Sequence, residues 1–254
     1  MTGCGRKIGP YDCCTVVCGD CLELMKSLPD GCVDAVITDP QYQLASGKKA
    51  TTMNAFAGRG KNYLKGVTTI PHDWGSLHGD DSPLDPSPFL RFPKVILWGA
   101  IHYGNRLPNS TSWLIWDKRG SVASDDNADC EMAWSNLGGP ARIYRQLWKG
   151  ICRAGEENIA ISGAKLHPFQ KPVALMRWCI ERAGDCETIL DAFLGSGTTA
   201  VAAKKLGRHF LGFEIEQKYV DIANERIALV EAQRNLFERR LEQPEVETKG
   251  GVSQ

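Results

Sequence analysis

The stretch Asp191-Ala-Phe-Leu-Gly195-Ser-Gly197-Thr-Thr-Ala200 constrains this chain more than any other. It lies between a strand-like run, Thr188 to Phe193, and a helical run, Thr198 to Leu206, so two glycines fall where a strand gives way to a helix. Small residues there let the backbone approach a ligand beside the helix N-terminus, and a nucleotide-like guest fits best. A phosphate-cradling loop needs Lys after its last glycine; Thr198 holds that place, which argues against phosphoryl transfer. Gly195, Gly197 and Ala200 also fit the loose dinucleotide fingerprint, and Glu214 ends the next strand about 20 residues on, where an acid would hold ribose hydroxyls.

Chain order narrows the choice. After the strand His209 to Glu214 comes only an amphipathic helix carrying Tyr219, Ile222, Ala223, Ile227 and Val230, extending toward Leu236, Phe237 and Leu241, and then a tail from about Pro244 that reads as disordered. A dinucleotide fold goes on winding strands after its fingerprint. Here the other strands must come from upstream, so the expected fold is α/β: a Rossmann-like, doubly wound, mostly parallel sheet, circularly permuted.

Upstream runs supply those strands. Thr15 to Cys18, Val33 to Thr38, Lys94 to Gly99 and Ser112 to Asp117 are apolar and β-branched, with a short helix through Leu22, Leu24, Met25 and Leu28 after the first. Pro172 opens a helix through Val173, Leu175, Met176, Cys179 and Ile180. Between Arg119 and Lys165 the periodicity weakens; acids gather at Asp125, Asp126, Asp129 and Glu131, and bases at Arg142, Arg145, Lys149 and Arg153. From Gln43 to Ile70 there is no acidic residue, while Lys48, Lys49, Arg59, Lys61 and Lys65 make a long basic loop.

Thirty basic residues balance thirty acidic ones, so a nucleic-acid surface must arise from local segregation of charge. No apolar stretch approaches the ~20 residues of a membrane helix. With no secretory leader pattern, the ten cysteines read as reduced and the protein as cytoplasmic. The densest group is Cys13, Cys14, Cys18 and Cys21, in which Cys18-x-x-Cys21 is a spacing that can open a zinc site, but no second pair follows at a usual distance, and no metal centre is expected.

Asp39-Pro40-Gln41-Tyr42 follows the strand Val33 to Thr38, which places an acid, a rigid carbonyl and an aromatic ring at the C-terminal edge of the sheet, where ligands bind. Alone, Asp-Pro is an ordinary turn opener. Together with Val17-Cys-Gly-Asp-Cys-Leu-Glu-Leu, Ile96-Leu-Trp-Gly, Ser112-Trp-Leu-Ile-Trp-Asp-Lys, His167-Pro-Phe-Gln-Lys-Pro172, the glycine turn, and Gly212-Phe-Glu with Tyr219, it forms an ordered series. In that order the chain, from about Val16 to Ile227, resembles the amino-methylating DNA methyltransferases of the permuted β group, in which the catalytic motif precedes the cofactor motif.

The resemblance implies a methyltransferase-type sheet with a small target-recognition insertion, S-adenosylmethionine as cofactor and double-stranded DNA as partner. The organisation it implies is a catalytic half over 12–118, the insertion over 119–165, a cofactor-binding half over 166–243 and a tail over 244–254. Asp191, Phe193, Gly195, Ser196, Gly197 and Thr198 would surround the methionine part of the cofactor, Glu214 its ribose and Asp20 its adenine, with His167, Gln170 and Lys171 ordering the site. The catalytic residues would be Asp39, Pro40, Gln41 and Tyr42. Gln41 departs from the family, which usually has a second proline there; glutamine restores φ freedom and adds a donor and an acceptor. Adenine N6 is favoured over cytosine N4 because family members acting on cytosine more often begin this tetrad with serine. A ring-carbon methyltransferase would instead need a cysteine nucleophile, usually after proline, and the chain has no Pro-Cys pair. Lys48, Lys49, Arg59, Lys61, Arg142 and Arg145 are the candidate DNA contacts.

Three other readings stay open at this level: a zinc-stabilised nucleic-acid-binding module, a nicotinamide oxidoreductase, and a methyltransferase acting on RNA or a small molecule. The apolar stripe of the last helix serves either its own core or a homodimer.

Overall fold

The computed structural model describes residues 4–41, 83–120, 128–149, 152–153 and 166–241. Tyr42, the basic loop from Lys48 to Lys65 and the tail from Pro244 lie outside the described residues. The strands are β1 (Lys7–Ile8), β2 (Tyr11–Asp12), β3 (Thr15–Cys18), β4 (Ala35–Thr38), β5 (Lys94–Trp98), β6 (Trp113–Asp117), β7 (Cys130–Ser135), β8 (Arg142–Arg145), β9 (Trp148–Lys149), β10 (Cys152–Arg153), β11 (Thr188–Asp191) and β12 (His209–Glu214). The helices are α1 (Cys21–Met25), α2 (Val173–Arg182), α3 (Thr198–Lys205) and α4 (Gln217–Leu241).

Eight strands form one sheet in the order β3-β12-β11-β4-β5-β7-β6-β8. The pairings from β3 to β5 are all parallel, as is β6 with β8, while β7 runs antiparallel to both β5 and β6. Counted from β11, the strand that carries the glycine turn, the first five strands stand in the order 3-2-1-4-5 of a doubly wound sheet. The order reverses between β11 and β4, and a crevice opens there, beyond the strands' carboxyl ends. Both the glycine turn and Asp39 lie at that point, though about 150 residues separate them along the chain.

The middles of the central strands are apolar on both faces because helices or loops cover both. Ala35, Ile37, Ile96, Trp98, Ile189 and Phe210 face a core with α2, α3 and α4, while Val36, Val95, Leu97, Leu190, Leu211 and Phe213 face a second core with α1 and the Phe89–Phe92 segment. The two-residue period of side chains along a strand divides these runs cleanly between the layers. At the far end, β6 buries alternate residues only, and β8 is a largely exposed edge.

Differences from the sequence-based expectation are local, with one exception. The strand expected through Phe193 stops at Asp191, because the Phe193 amide donates to the Asp191 carboxylate (3.1 Å) rather than to a neighbouring strand. The β1–β2 hairpin, turning at Gly9 with φ 57°, was not anticipated. The exception concerns 119–165, where β7 and β8 are members of the main sheet, while residues 121–127, 150–151 and 154–165 of this span lie outside the described residues. Its weak periodicity follows from sitting where only part of each strand is covered.

Candidate active site

The glycine turn satisfies its buried acids with backbone and hydroxyl donors. Thr38 Oγ1 donates to Asp191 Oδ1 at 2.7 Å, linking β4 to β11, and the Phe193 amide donates to the same oxygen. Burial raises the Asp191 carboxyl to about 6, against the lowering effect of the Thr199, Thr38 and Phe193 hydrogen bonds. Glu214, at the end of β12, accepts the Gly195 amide on one oxygen (2.8 Å) and the Glu216 amide on the other (2.9 Å). Burial also pushes Glu214 up.

Gly197 takes φ 83°, and a Cβ there would stand 2.8 Å from that of Ala223 on α4, so glycine is required both by conformation and by space. Arg226, on the same helix, holds the turn from behind: its Nη1 donates to Ser196 O (2.5 Å), Ser196 Oγ (3.0 Å) and Thr198 Oγ1 (3.3 Å). Asp20 caps α1, accepting the Leu22 and Glu23 amides, and the preceding Gly19 amide donates to Glu214 O. Asp20 and Glu214 therefore end neighbouring parallel strands on one side of the turn.

His167 lies over the turn, its ring 4.3 Å from that of Tyr219 and against Gly195. Gln170 accepts the Leu166 amide at 3.0 Å, pinning the loop that leads into α2. Lys171 comes to rest between carboxylates: its Nζ bonds Asp39 Oδ2 and lies 2.9 Å from Glu131 Oε2, with the Trp98 ring 5.8 Å away. Lys118 closes the group with a 2.9 Å bond to Glu131 Oε1. Two acids and two bases thus form a charge-balanced cluster beside the crevice.

Its members are tuned differently. Burial alone would raise Glu131, but Lys171 and Lys118 hold it down at about 2. Burial raises Asp39 above its ordinary value in spite of Lys171, with Glu131 adding to the rise. Lys171 is penalised by burial, yet Asp39 and Glu131 keep it firmly protonated. Asp39 Oδ1 is buried and has no hydrogen-bond partner among the described residues. A buried carboxylate oxygen of this kind costs free energy until a donor arrives. Pro40 is buried and Gln41 half-buried beside it.

Of the anticipated residues, the fold brings Asp20, Asp39, Pro40, Gln41, His167, Gln170, Lys171, Asp191, Phe193, Gly195, Ser196, Gly197, Thr198 and Glu214 to one edge of the sheet. Arg142 and Arg145 do not join them. They flank the edge strand β8, four strand spacings or about 19 Å from β4, with Arg145 at the carboxyl end and Arg142 at the other. Sequence reasoning missed Glu131, Lys118 and Arg226. Glu131 reaches the cluster because β7 runs antiparallel, bringing its start beside the ends of the parallel strands, and Lys118 because it follows the carboxyl end of β6, which β7 pairs with. Arg226 left a trace: it follows Ala223 by three positions, on the face of α4 that meets the turn.

Comparison with known proteins bears on the family and the fold. Residues 107–225 match the family model described as DNA methylase. The type II methyltransferase M.HinfI of Haemophilus influenzae is 26% identical over 265 residues, spanning 88% of this chain and 71% of its own length. The type II methyltransferase M2.LlaDCHI of Lactococcus lactis subsp. cremoris is 25% identical over 244 residues, 84% of this chain and 88% of its own. In fold, the chain is similar to the PvuII DNA methyltransferase (cytosine-N4-specific), with a TM-score of 0.52, 16% identity, and coverage of 90% of this chain and 93% of that one.

Proposed function

We propose that this chain, which belongs to the S-adenosylmethionine-dependent DNA amino-methyltransferases, methylates adenine N6 in double-stranded DNA. The observation that carries the reading is Asp39: one carboxylate oxygen is anchored by Lys171 and the other is buried without a hydrogen-bond partner among the described residues, at the topological switch point beside the glycine turn. It is an acceptor awaiting a donor, and an exocyclic amino group supplies one.

Asp191, Gly195, Gly197 and Glu214 fit an adenosyl cofactor, since they present a carboxylate at the strand end and a turn with no room for side chains. When bound, the cofactor supplies an electrophilic methyl carbon on a sulfonium sulfur. The chain's own residues do the positioning. An adenine amino group is a weak nucleophile because its lone pair is delocalised into the ring. Asp39 Oδ1 and the Pro40 carbonyl accept its two hydrogens, drawing the nitrogen toward a tetrahedral shape with its lone pair free to attack. Lys171 holds the Asp39 carboxyl in place and favours its ionised form against the effect of burial. The base must leave the duplex stack to reach this point, and Tyr42 is the proposed stacking partner that offsets part of the unstacking cost of a few kcal/mol.

Adenine is preferred because the motif begins with an acid. The test is incubation of the chain with tritiated S-adenosylmethionine and unmethylated duplex DNA, followed by nucleoside mass spectrometry. N6-methyladenine is expected. N4-methylcytosine would overturn the choice of base and leave the reaction class, whereas bound cofactor with no modified base would overturn the DNA assignment.

A further inference from the structure

The opposite ends of β3 and β12 carry a second cluster of chemically capable side chains. Cys13 and Cys14 immediately precede β3, His209 begins β12, and Cys4 is brought in by the β1–β2 hairpin. Main-chain bonds hold three of the four in place: Cys13 N donates to Arg6 O (2.9 Å), Cys14 N to Phe210 O (2.8 Å) and His209 N to Glu187 O (2.7 Å).

The ligand-type atoms converge. His209 Nδ1 lies 3.6 Å from Cys4 Sγ, 3.0 Å from Cys13 Sγ and 3.9 Å from Cys14 Sγ; the sulfurs of Cys13 and Cys14 are 3.5 Å apart, and all four atoms lie within 4.8 Å of one another. A tetrahedral zinc with ordinary bond lengths sets its sulfurs roughly 3.8 Å apart and sulfur to nitrogen roughly 3.5 Å. The cluster already has these dimensions.

Adjacent residues on a strand point to opposite faces, so neighbouring cysteines converge only if the backbone leaves the extended region. Cys14 does so. Its φ of 60° makes it the one non-glycine residue with positive φ among the described residues. Such a conformation is rare away from glycine, asparagine and aspartate, and it persists where something beyond local preference requires it. Bringing two sulfurs to one point is such a requirement.

We propose that Cys4, Cys13, Cys14 and His209 form a structural zinc site that ties the N-terminal hairpin to the amino ends of β3 and β12. Three thiolates and an imidazole suit zinc, and four protein donors leave no open position for catalysis. The site lies at the sheet edge opposite Asp39 and shares its two strands with the active site, whose Asp20 and Glu214 stand at their far ends. It fixes those strands where they start. The cysteines are not those of the Cys18-x-x-Cys21 spacing: Cys18 Sγ lies instead 3.6 Å from Ile215 O, and Cys21 is buried at the start of α1.

The test uses the full chain, purified under reducing conditions from zinc-supplemented cells and passed over a chelating resin. Metal content is read by plasma mass spectrometry, and cobalt is then substituted and its absorption recorded. The expected result is about one zinc per chain, a cobalt spectrum of tetrahedral form and a sulfur-to-cobalt charge-transfer band. Cys4→Ser and Cys14→Ser should weaken zinc binding by on the order of 100-fold in competition with a chromophoric chelator, while Cys18→Ser leaves it unchanged. Zinc far below one per chain without the cobalt band would overturn the proposal, as would a Cys13–Cys14 disulfide in the intact mass or zinc lost with Cys18→Ser. Because metal and spectrum are read on the unaltered chain, a variant that fails to fold does not decide the outcome. None of these readouts depends on the substrate.

Discussion

The two sides of the switch-point crevice treat their buried acids in opposite ways. On the β11–β12 side, Asp191 and Glu214 already hold backbone or hydroxyl donors and the turn is braced by Arg226, so that side is complete before any ligand arrives. On the β4 side, Asp39 is anchored through one oxygen and, among the described residues, unsatisfied at the other. The contrast shows how one sheet edge divides its work. On the function proposed above, the first side is a cofactor seat built largely from backbone, where nothing needs to reorganise, and the second keeps an acceptor for the group that will react.

The sharpest way to break that contrast is Asp39→Ala. Turnover should fall by on the order of 10³-fold or more, with cofactor affinity measured by calorimetry unchanged; turnover at the wild-type rate would remove Asp39 from the mechanism. Next in size is Gly197→Ala on the rigid side. The left-handed backbone costs about 1–2 kcal/mol and the clash with Ala223 about 1–3 more, so both melting temperature and cofactor affinity should drop.

Lys171→Met tests the anchor itself. Asp39 accepts the amino hydrogen more strongly as the carboxylate than as the neutral acid, and burial already holds its pKa above the ordinary carboxylate value. The acid limb of the kcat/KM profile should therefore lie above that value, and loss of the cation should move it further up by about one pH unit or more. A limb that stays in place would show that Lys171 serves packing alone. The smallest effect belongs to the distant edge strand: Arg145→Ala should reduce the slope of log K against log salt for DNA by about 1, and an unchanged slope would leave the charges of β8 as protection of an exposed edge.

Much of this site was legible in the sequence, and its limits are instructive. The glycine turn and Asp39-Pro40 each announce themselves locally, because a strand-to-helix turn demands small residues and a strand end is marked by the break in an apolar run. The doubly buried strands β4, β5, β11 and β12 were readable for the same reason. By contrast, Glu131 stood among Asp125, Asp126 and Asp129 with nothing to single it out. Its role depends on the reversed direction of β7, which no local pattern encodes.

The cysteines make the same point more strongly. The one recognisable spacing, Cys18-x-x-Cys21, lies outside the cluster, and the residues that do converge include a pair 196 positions apart, Cys13 and His209. The sequence by itself determined the strands, the turn, the order of the motifs and the acid that begins the catalytic one, all matters of local periodicity and steric demand. Only the tertiary structure decided which charges meet at Asp39 and which sulfurs meet at His209. Those encounters are set by strand pairing between distant segments, and pairing is an outcome of the whole sheet's packing rather than of any stretch of chain.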